Sequence, residues 1–426
     1  MTISTYWNPT LQGMDFKSSE AFREFLKTID FEKLSHTAAA VRGVDRSSPK
    51  INPNVYERGA LNVIFEILFT DGVSWAARLS LPQEACFPES NQPEDEFLRR
   101  RKYISKSEVD TQRYVRENTS IPIPEIFHSD LSYDGGGVGA PYIMMEGIAG
   151  QRLRVEFPFL PPHIQDKVFR QVAHVVIQLS NLTFPKIGLL RKTEDDKIVP
   201  VEWYDGSGFR HPPCRTSSSY YKRVYGLMRA RTLSNPDPDV KAMAWMWDRC
   251  SIHLRTTFGT SGPFPLCHGD LWSGNFLWNE NLNLVAVIDW TNTMAMPWET
   301  SALIRELFLY TLPGGVLARE RFANILATEE HRFGCVRRVS ELFFSKEMQI
   351  LSIIKDVNMD VAMGSFRVPR LISLMPEATD VTFLDFISPN YIERCTRYRT
   401  NLKGGIASNW VSYKDIVCWR REVSGD

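Results

Sequence analysis

The first half of the chain places apolar residues in the pattern of a β-sheet. Apolar residues at every second position of 63–69 predict a strand with one buried face. Residues 70–72, Thr-Asp-Gly, then predict a tight turn into a return strand over 73–79, because Asp-Gly between two such runs favours a hairpin. A helix is predicted over 107–118, and 141–147 is typical of a buried strand that leads into a hinge.

Beyond Gly150 the apolar spacing lengthens to three and four residues, which is typical of helices with one buried face. A second such face is predicted over 240–258, and the last 120 residues are predicted to be mostly helical. The pattern therefore predicts an N-terminal helical extension over 1–50, a strand-rich N-lobe over 51–147 and a larger helical C-lobe over 148–426. The first C-lobe helical face consists of Ile164, Val168, Val172, Val175, Leu179 and Leu182.

Composition and charge narrow the possible partners. The 426 residues are 43% hydrophobic and 23% charged, which is typical of globular proteins. Lys and Arg number 50, as do Asp and Glu, and a net charge of zero argues against nucleic-acid binding. No apolar run approaches the ~18 residues of a membrane span. The N-terminus lacks the pattern of a signal peptide. The seven cysteines contain no Cys-x-x-Cys pair. We expect a cytoplasmic protein without nucleic-acid or membrane partners.

One segment carries the candidate chemistry. Asp270 and Asn275 lie five positions apart, and a short apolar strand over 284–288 ends at Asp289. A hairpin that joins the two stretches would bring the three side chains to one edge. Carboxylate and amide oxygens suit Mg²⁺, whose remaining ligands in proteins are often phosphate oxygens. The alternative is a turn with a capping aspartate, followed by an ordinary strand end.

The sequence His-Gly-Asp-x-x-x-x-Asn, followed by a strand that ends in Ile-Asp-Trp, resembles the catalytic core of the aminoglycoside phosphotransferases. These share the protein-kinase-like fold with choline kinases. The resemblance implies an α+β, two-lobed fold with a small antiparallel-sheet N-lobe and a larger, mostly helical C-lobe. It implies that Asp270 is the catalytic aspartate that orients the substrate hydroxyl, with His268 as a supporting residue that orders the loop. It also implies ATP and Mg²⁺ as cofactors, with Asn275 and Asp289 as metal ligands.

The same resemblance implies nucleotide-binding residues in the N-lobe. Arg78 stands where kinases carry their phosphate-binding lysine, and its expected carboxylate partner is Glu108, with Glu117 near the helix end as an alternative. A surface arginine at a strand end is the other interpretation of Arg78. Gly59 and Asn62 lie in the connection where a nucleotide-covering loop would be, although a plain hairpin is an equal alternative.

The hinge is expected to hold the adenine ring. The backbone of Glu146 and Ile148 would bind the ring, and Met145 would contribute to an apolar slot together with Tyr142 and Met144. A methionine pair in a strand is otherwise typical of core. The sequence departs from the family pattern after Asp289-Trp290, where 291–293 is Thr-Asn-Thr in place of a frequent glutamate.

Three functions remain open at this point. The first is an ATP- and Mg²⁺-dependent phosphotransferase that acts on a hydroxyl of a small molecule. The aromatic residues of 200–260 favour a flatter or more apolar metabolite, such as one of secondary metabolism, over an aminoglycoside. The second is a kinase-fold enzyme that catalyses a phosphorylation-linked elimination or cyclisation. The third is a nucleotide-binding pseudokinase. The absence of His-Arg-Asp, Asp-Phe-Gly and Ala-Pro-Glu argues against a protein kinase.

Overall fold

The fold was analysed in a computed structural model of the chain. The residues that the structure describes are 3–6, 20–47, 49–87, 92–153, 157–205, 208–224, 252–255, 260–302, 315–343, 345, 348, 350 and 351. Most of the helical face predicted over 240–258, and most of the C-terminal 120 residues, lie outside them.

The described residues form six named α-helices and fourteen strands. The helices are α1 (Glu20–Thr28), α2 (Phe31–Arg42), α3 (Gln83–Cys86), α4 (Glu94–Asn118), α5 (Pro162–Asn181) and α6 (Gly315–Arg332). The strands are β1 (Lys50–Arg58), β2 (Asn62–Leu68), β3 (Ser74–Ser80), β4 (Ile126–Asp130), β5 (Tyr142–Glu146), β6 (Thr183–Phe184), β7 (Gly188–Lys192), β8 (Ile198–Val201), β9 (Trp203–Tyr204), β10 (Arg210–His211), β11 (Phe264–Cys267), β12 (Phe276–Trp278), β13 (Leu284–Val287) and β14 (Met294–Ala295).

The described residues divide into two compact units, which do not follow the predicted boundaries. One unit combines Met1–Val155 with Leu190–Val199 and His268–Thr293. The other combines Glu156–Leu189 with Pro200–Cys267 and the chain from Met294 onward. The segment with the candidate chemistry thus belongs to the unit that contains the N-terminal sheet.

The first unit is built on a five-stranded antiparallel sheet in the order β1-β2-β3-β5-β4. Residues Asn62 to Leu68 pair with Ser80 to Ser74 in unbroken register, and Phe69 donates its N–H to the Val73 carbonyl across the turn. Gly72 in that turn has a φ of 83°, a conformation that glycine adopts without steric cost. The hairpin predicted from the alternating pattern is therefore confirmed.

Helices cover both faces of this sheet. Apolar residues of α1 and α2 pack with the buried side chains of β2 and β3, including Phe22, Leu34 and Phe65, all of which are fully buried. On the opposite face, Val109 of α4 packs with Ile126 and Ile143. The N-terminal extension is thus part of the N-terminal core, because its apolar side chains supply one whole side of it.

Helix α4 begins thirteen residues before the predicted start, at Glu94. Its buried stripe is largely polar and includes Arg101, Ser105, Glu108 and Gln112. An apolar pattern could not reveal this half of the helix, because the side chains that it buries are hydrogen-bonding or charged groups.

Strands β12 and β13 form the predicted antiparallel hairpin, with Phe276 opposite Val287 and Trp278 opposite Leu284. The Val287 N–H donates to the carbonyl of Pro122, which lies in the extended segment after α4. This hydrogen bond attaches the hairpin to the end of α4 and therefore to the N-terminal sheet.

In the second unit, α5 packs against α6 through Phe169 and Phe322, whose ring centroids lie 5.5 Å apart. The predicted apolar face of α5 is buried at Val168 and Val172. The unit also contains the short strands β6, β11 and β14, which the apolar pattern did not predict. Two of them, β6 and β14, are two residues long, too short to show a period of two.

No helix among the described residues is long and apolar enough to cross a membrane. Of the seven cysteines, the four in the described segments, Cys86, Cys214, Cys267 and Cys335, are free thiols.

Glu299 gives the second unit a pH-dependent stability. Its side chain is 1% exposed and accepts a hydrogen bond of 2.5 Å from the Tyr221 hydroxyl. Burial raises the pKa of Glu299 to about 7, and the Tyr221 hydrogen bond opposes this only in part. Because the folded state binds the proton more tightly than the unfolded chain, this contribution to stability is full below the ordinary glutamate pKa and declines as the pH approaches 7.

We expect Glu299→Gln to reduce the loss of thermal stability between pH 5 and pH 7.5, since the glutamine carries no ionisable proton. Thermal unfolding followed at both pH values tests this. Glu320→Gln, which changes an exposed carboxyl on α6, is the control and should retain the wild-type difference. An equal pH response in Glu299→Gln and wild type would contradict the assignment.

Candidate active site

The polar residues predicted for catalysis and metal binding lie on one short segment of the first unit. Asn275 donates its side-chain N–H to the Asp270 carbonyl at 2.7 Å and lies 3.5 Å from the Asp270 carboxylate. The Ile288 N–H donates to the backbone carbonyl of Asn275 at 2.9 Å, so Asp289 follows directly after a residue bonded to Asn275. The structure therefore brings Asp270, Asn275 and Asp289 together across the hairpin.

His268 connects the two sides of this segment. Its Nδ1 accepts the Asp270 N–H at 3.1 Å, and its Nε2 lies 3.2 Å from the Ile288 carbonyl. These partners require a neutral ring with the proton on Nε2, since Nδ1 is an acceptor and Nε2 a donor. Burial lowers the pKa of His268 despite the nearby charges of Asp289 and Asp270. The ring thus holds the Asp270 backbone next to the strand that leads to Asp289.

The backbone of Asp289 has a conformation that most residues avoid. Its φ is 61°, in the left-handed region that few residues other than glycine, asparagine and aspartate adopt. Its side chain is exposed, whereas the next residue, Trp290, is 1% exposed and bonds the Val287 carbonyl through its indole N–H at 2.9 Å. The buried tryptophan anchors the chain, and the left-handed turn leaves the Asp289 carboxylate open to solvent.

Gly269 is required by a close backbone approach. A Cβ at this position would lie 2.5 Å from the Thr291 carbonyl oxygen and 2.8 Å from the Asn292 carbonyl carbon. No side chain fits at that distance, so the glycine permits the chain before Asp270 to pass directly against the chain after Asp289.

Arg78 and Glu108 form a buried, two-pronged ion pair. Arg78 Nη1 lies 2.7 Å from Glu108 Oε1, and Nη2 lies 2.7 Å from Oε2. The two side chains are 11% and 3% exposed. Burial alone would lower the pKa of Arg78, but the Glu108 charge outweighs it, so the pKa of Arg78 is raised. The structure thus pairs Arg78 with Glu108 and not with Glu117, and excludes a surface arginine.

This ion pair lies close to the segment with Asp289. The charge of Asp289 also acts on Arg78, and Thr291, two residues after Asp289, donates its hydroxyl to Glu108 Oε2 at 3.1 Å. The N-lobe pair and the predicted metal ligands are therefore parts of one site within the first unit.

The loop between β1 and β2 is held from α4. Gly59 donates its N–H to the Asn62 carbonyl at 2.8 Å. Arg101 donates from Nη2 to the Asn62 side-chain oxygen at 2.9 Å and to the Leu61 carbonyl at 3.2 Å. Burial, followed by the like charge of Arg78, lowers the pKa of Arg101. The side-chain oxygen of Asn62 therefore already accepts a hydrogen bond from Arg101.

The hinge residues separate onto two faces of the sheet. Met145 pairs with Ala76, on the same face as Arg78, and is only partly buried. Met144 and Tyr142 are 0% and 3% exposed and belong to the core on the opposite face. The predicted slot of Tyr142 and both methionines is therefore wrong for Met144 and Tyr142, because neighbouring strand residues point to opposite sides.

The backbone N–H groups of Glu146 and Gly147 already have hydrogen-bond partners. Its N–H donates to the Glu125 carbonyl at 2.8 Å, and the Gly147 N–H donates to the Ser74 carbonyl at 3.1 Å. A ring at this hinge would therefore meet the carbonyl of Glu146 and not its N–H, while Ile148, two residues on, is partly buried.

Sequence reasoning missed three residues of this site. Two of them are described above: Arg101 binds Asn62, and Thr291 binds Glu108. The third is Arg152, which donates from Nε to the Gly274 carbonyl at 3.0 Å and forms an ion pair with Glu57. Their partners lie 39 to 183 positions away in the chain. The only sequence signal was the Thr-Asn-Thr departure after Trp290.

The donor set suits a hard metal ion with few protein ligands. Within the described ranges, no cluster of three or more His, Cys, Asp or Glu residues could hold a metal. Asn275 and Asp289 supply one amide and one carboxylate oxygen, which fits Mg²⁺ when phosphate oxygens and water complete its coordination.

The described aromatic residues of the region predicted to favour a flatter substrate are partly core and partly surface, and Phe209 is 48% exposed. Trp203 and Tyr221 are 3% and 0% exposed, and Tyr220 lies between them, with centroids 5.2 and 5.4 Å away. Tyr225, Trp245 and Trp247 lie outside the described residues.

A separate cavity of about 1190 Å³ lies elsewhere in the first unit. Phe25, Glu94 and Arg101 are among its lining residues, whereas Arg78 and Asp270 are not. The cavity thus borders the candidate site at Arg101 and otherwise lies beside α1 and the start of α4.

Comparison with known proteins identifies a family match in this part of the chain. Residues 95–299 match the model of the APH phosphotransferase enzyme family. The match covers slightly less than half of the chain and extends from α4 through the segment with Asp270 and Asp289.

Curated relatives occur in fungi. A clavilactone A biosynthesis cluster protein of Ampulloclitocybe clavipes is 27% identical over 247 residues, which are 54% of this chain and 57% of that protein. A subtelomeric hrmA-associated cluster protein of Aspergillus fumigatus is 30% identical over 93 residues, 22% of this chain and 18% of that protein. The chain thus spans less than two thirds of the length of either relative.

Solved structures that are similar to this chain at low sequence identity include two small-molecule kinases. A putative fructosamine-3-kinase from Thermobifida fusca is 14% identical with a TM-score of 0.48, over 82% of this chain and 98% of that one. The amicoumacin kinase hAmiN is 12% identical with a TM-score of 0.47, over 91% and 98% of the two chains.

We expect Arg78→Met to lower the free energy of unfolding by about 3–5 kcal/mol, because it leaves the buried Glu108 charge unpaired. The double variant Arg78→Met/Glu108→Leu should recover most of this loss, since no buried charge remains. Urea unfolding measures both. Lys192→Met, which breaks an exposed ion pair with Asp196, is the control and should leave the free energy of unfolding close to the wild-type value. A double variant less stable than Arg78→Met would contradict this account.

Proposed function

We propose that this chain, whose residues 95–299 match the model of the phosphotransferase enzyme family, transfers the γ-phosphoryl group of ATP to a hydroxyl of a small molecule in a Mg²⁺-dependent reaction. The observation that carries the proposal is the meeting of Asp270, Asn275 and Asp289 on one segment beside the Arg78–Glu108 ion pair. It combines a carboxylate, two oxygen ligands and a buried cation, as phosphoryl transfer requires.

Asp270 is the proposed catalytic residue. Its backbone is held by His268 and by the Asn275 amide, so its carboxylate has a defined direction. In that position it would accept a hydrogen bond from the acceptor hydroxyl and orient the oxygen toward the γ-phosphorus atom. It would take up the hydroxyl proton as the new P–O bond forms and the bond from the γ-phosphorus to the ADP leaving group breaks. His268 supports this role through the loop and does not itself touch the reacting atoms.

Asn275 and Asp289 are the proposed metal ligands. The Asn275 Nδ2 group is used on Asp270, so the amide oxygen Oδ1 is the atom suited to a cation. The exposed Asp289 carboxylate supplies the second ligand. Bound Mg²⁺ would neutralise negative charge on the nucleotide phosphates.

The N-terminal sheet is proposed to hold the nucleotide. Arg78 would bind phosphate oxygens and remains charged because Glu108 balances it in the interior. The 59–62 loop, held by Arg101, would lie over the phosphates, and the carbonyl of Glu146 with the backbone of Ile148 would bind the adenine ring beside Met145.

The acceptor is proposed to be a hydroxyl-bearing metabolite of secondary metabolism. The relative in the clavilactone A biosynthesis cluster supports this class of substrate. Acidic residues expected for a polycationic aminoglycoside are scattered over 200–260 and form no dense run.

The experiment that tests the function is ADP release with a library of hydroxylated metabolites, followed by product analysis. ADP release that depends on both acceptor and Mg²⁺, with a stable phosphate ester as product, supports the proposal. A dehydrated product with free phosphate would favour the elimination or cyclisation alternative. Nucleotide binding without turnover of any acceptor would favour a pseudokinase.

We expect Asp270→Asn to bind ATP with unchanged affinity and to lose turnover by about 10²–10⁴-fold, because the amide cannot accept the hydroxyl proton. Steady-state rates and nucleotide titration measure the two effects. The control is Glu280→Gln, which changes an exposed residue in a turn and should leave both values unchanged. Asp205→Asn would be a poor control, because the Asp205 carboxylate is hydrogen-bonded to His211. Full turnover in Asp270→Asn would exclude the catalytic role.

We expect Asp289→Ala to weaken Mg²⁺-dependent nucleotide binding by about tenfold or more, since one of two protein ligands is lost. Titration with a fluorescent ATP analogue, with and without Mg²⁺, measures the change. Binding without Mg²⁺ should not weaken. Equal Mg²⁺ dependence in the variant and the wild type would show that Asp289 is not a ligand.

A further inference from the structure

We propose that Thr291 is a positioning residue that ties the backbone of Asp289 to the Arg78–Glu108 ion pair and thereby sets the affinity for the Mg²⁺–nucleotide complex. The inference rests on the proposed function. It assigns a role to the first residue of the Thr-Asn-Thr segment over 291–293, where this sequence departs from the pattern described above.

The hydrogen bond of Thr291 is directed at the charged centre of the site. Its Oγ1 donates to Glu108 Oε2 at 3.1 Å, and that carboxylate is 3% exposed. Arg78 uses one donor on each carboxylate oxygen, which leaves further lone pairs on Oε2 for a third donor. Thr291 therefore completes a three-member network of Arg78, Glu108 and Thr291.

Thr291 also lies at the point where the backbone after Asp289 turns. The Thr293 N–H donates to the Trp290 carbonyl at 3.1 Å, which closes a four-residue turn with Thr291 in second place. Asn292, in third place, has a φ of 59°, the positive value that a type II turn requires there. A hydrogen bond from the second residue of this turn to α4 fixes the turn in place.

The other side of the turn faces the catalytic residue. The Thr291 carbonyl oxygen lies against Gly269, close enough that a Cβ there would be 2.5 Å away, and the Gly269 N–H lies 3.4 Å from the Thr293 hydroxyl. The turn over 290–293 thus lies between Glu108 and the chain before Asp270. Displacement of Thr291 from Glu108 would shift the Asp289 carboxylate relative to the Arg78 guanidinium.

The test compares two substitutions at one position. Thr291→Val keeps the branched shape and removes the hydroxyl, whereas Thr291→Ser keeps the hydroxyl. We expect Thr291→Val to weaken binding of a fluorescent ATP analogue about fivefold or more with Mg²⁺ present, because a hydrogen bond to a charged carboxylate is lost. Thr291→Ser should remain within about twofold of wild type. Without Mg²⁺ the variants should bind alike, since Thr291 acts through the metal ligand.

A double-mutant cycle separates this role from a general structural effect. In a Glu108→Gln background, Thr291→Val should change Mg²⁺-dependent binding much less than it does in wild type, since the partner charge is already removed. Thr328→Val removes a hydroxyl that bonds the Asn324 carbonyl on α6 and is the matched control with no expected effect. Thermal unfolding of each variant verifies that it is folded.

The outcomes distinguish the inference from the function on which it rests. Wild-type binding that depends on Mg²⁺, together with unchanged binding in Thr291→Val, would overturn the role of Thr291 and leave the proposed function intact. Equal losses with and without Mg²⁺, or equal losses in the Thr291→Ser variant, would also overturn it. No Mg²⁺-dependent nucleotide binding by the wild type would overturn the proposed function and the inference together.

Discussion

The ion pair between Arg78 and Glu108 is the constraint on which the candidate site depends. Both groups are charged and removed from solvent, and neither could remain so without the other because desolvation of an unpaired charge is costly. The pair joins β3 to α4 across 30 positions of sequence. It therefore determines which turn of α4 faces the sheet. The positions of two further residues depend on it, because Arg101 lies on the same helix and Thr291 donates to the same carboxylate.

The layers of the first unit make room for this pair. Helices α1 and α2 cover one face of the sheet with apolar side chains, so that face contributes core packing and not the polar groups of the candidate site. The opposite face carries Arg78 and the partly buried Met145, and α4 supplies Glu108. The hairpin that ends at Asp289 joins this side through the carbonyl of Pro122. A continuous core on one face thus leaves the other free for polar groups.

Local patterns predicted the parts of the fold whose hydrogen bonds are local. The hairpin of β2 and β3, the apolar face of α5 and the turn from β12 to β13 all follow from periods of two or of three and four and from turn residues. The first half of α4 was missed because its buried stripe is polar, and β6 and β14 were missed because two residues show no period. Met144 was misplaced because the sheet face is set by register and not by residue type.

The sequence by itself determined the identity and order of the chemical groups: an aspartate and an asparagine five positions apart, a strand that ends in a second aspartate, and an arginine on an earlier strand. Only the tertiary structure decided which of these groups meet. The bond from Thr291 to Glu108 spans 183 positions and that from Arg101 to Asn62 spans 39, and no local propensity encodes a contact over such distances. Such partners are selected when packing removes water and each buried polar group must find a donor or acceptor within reach.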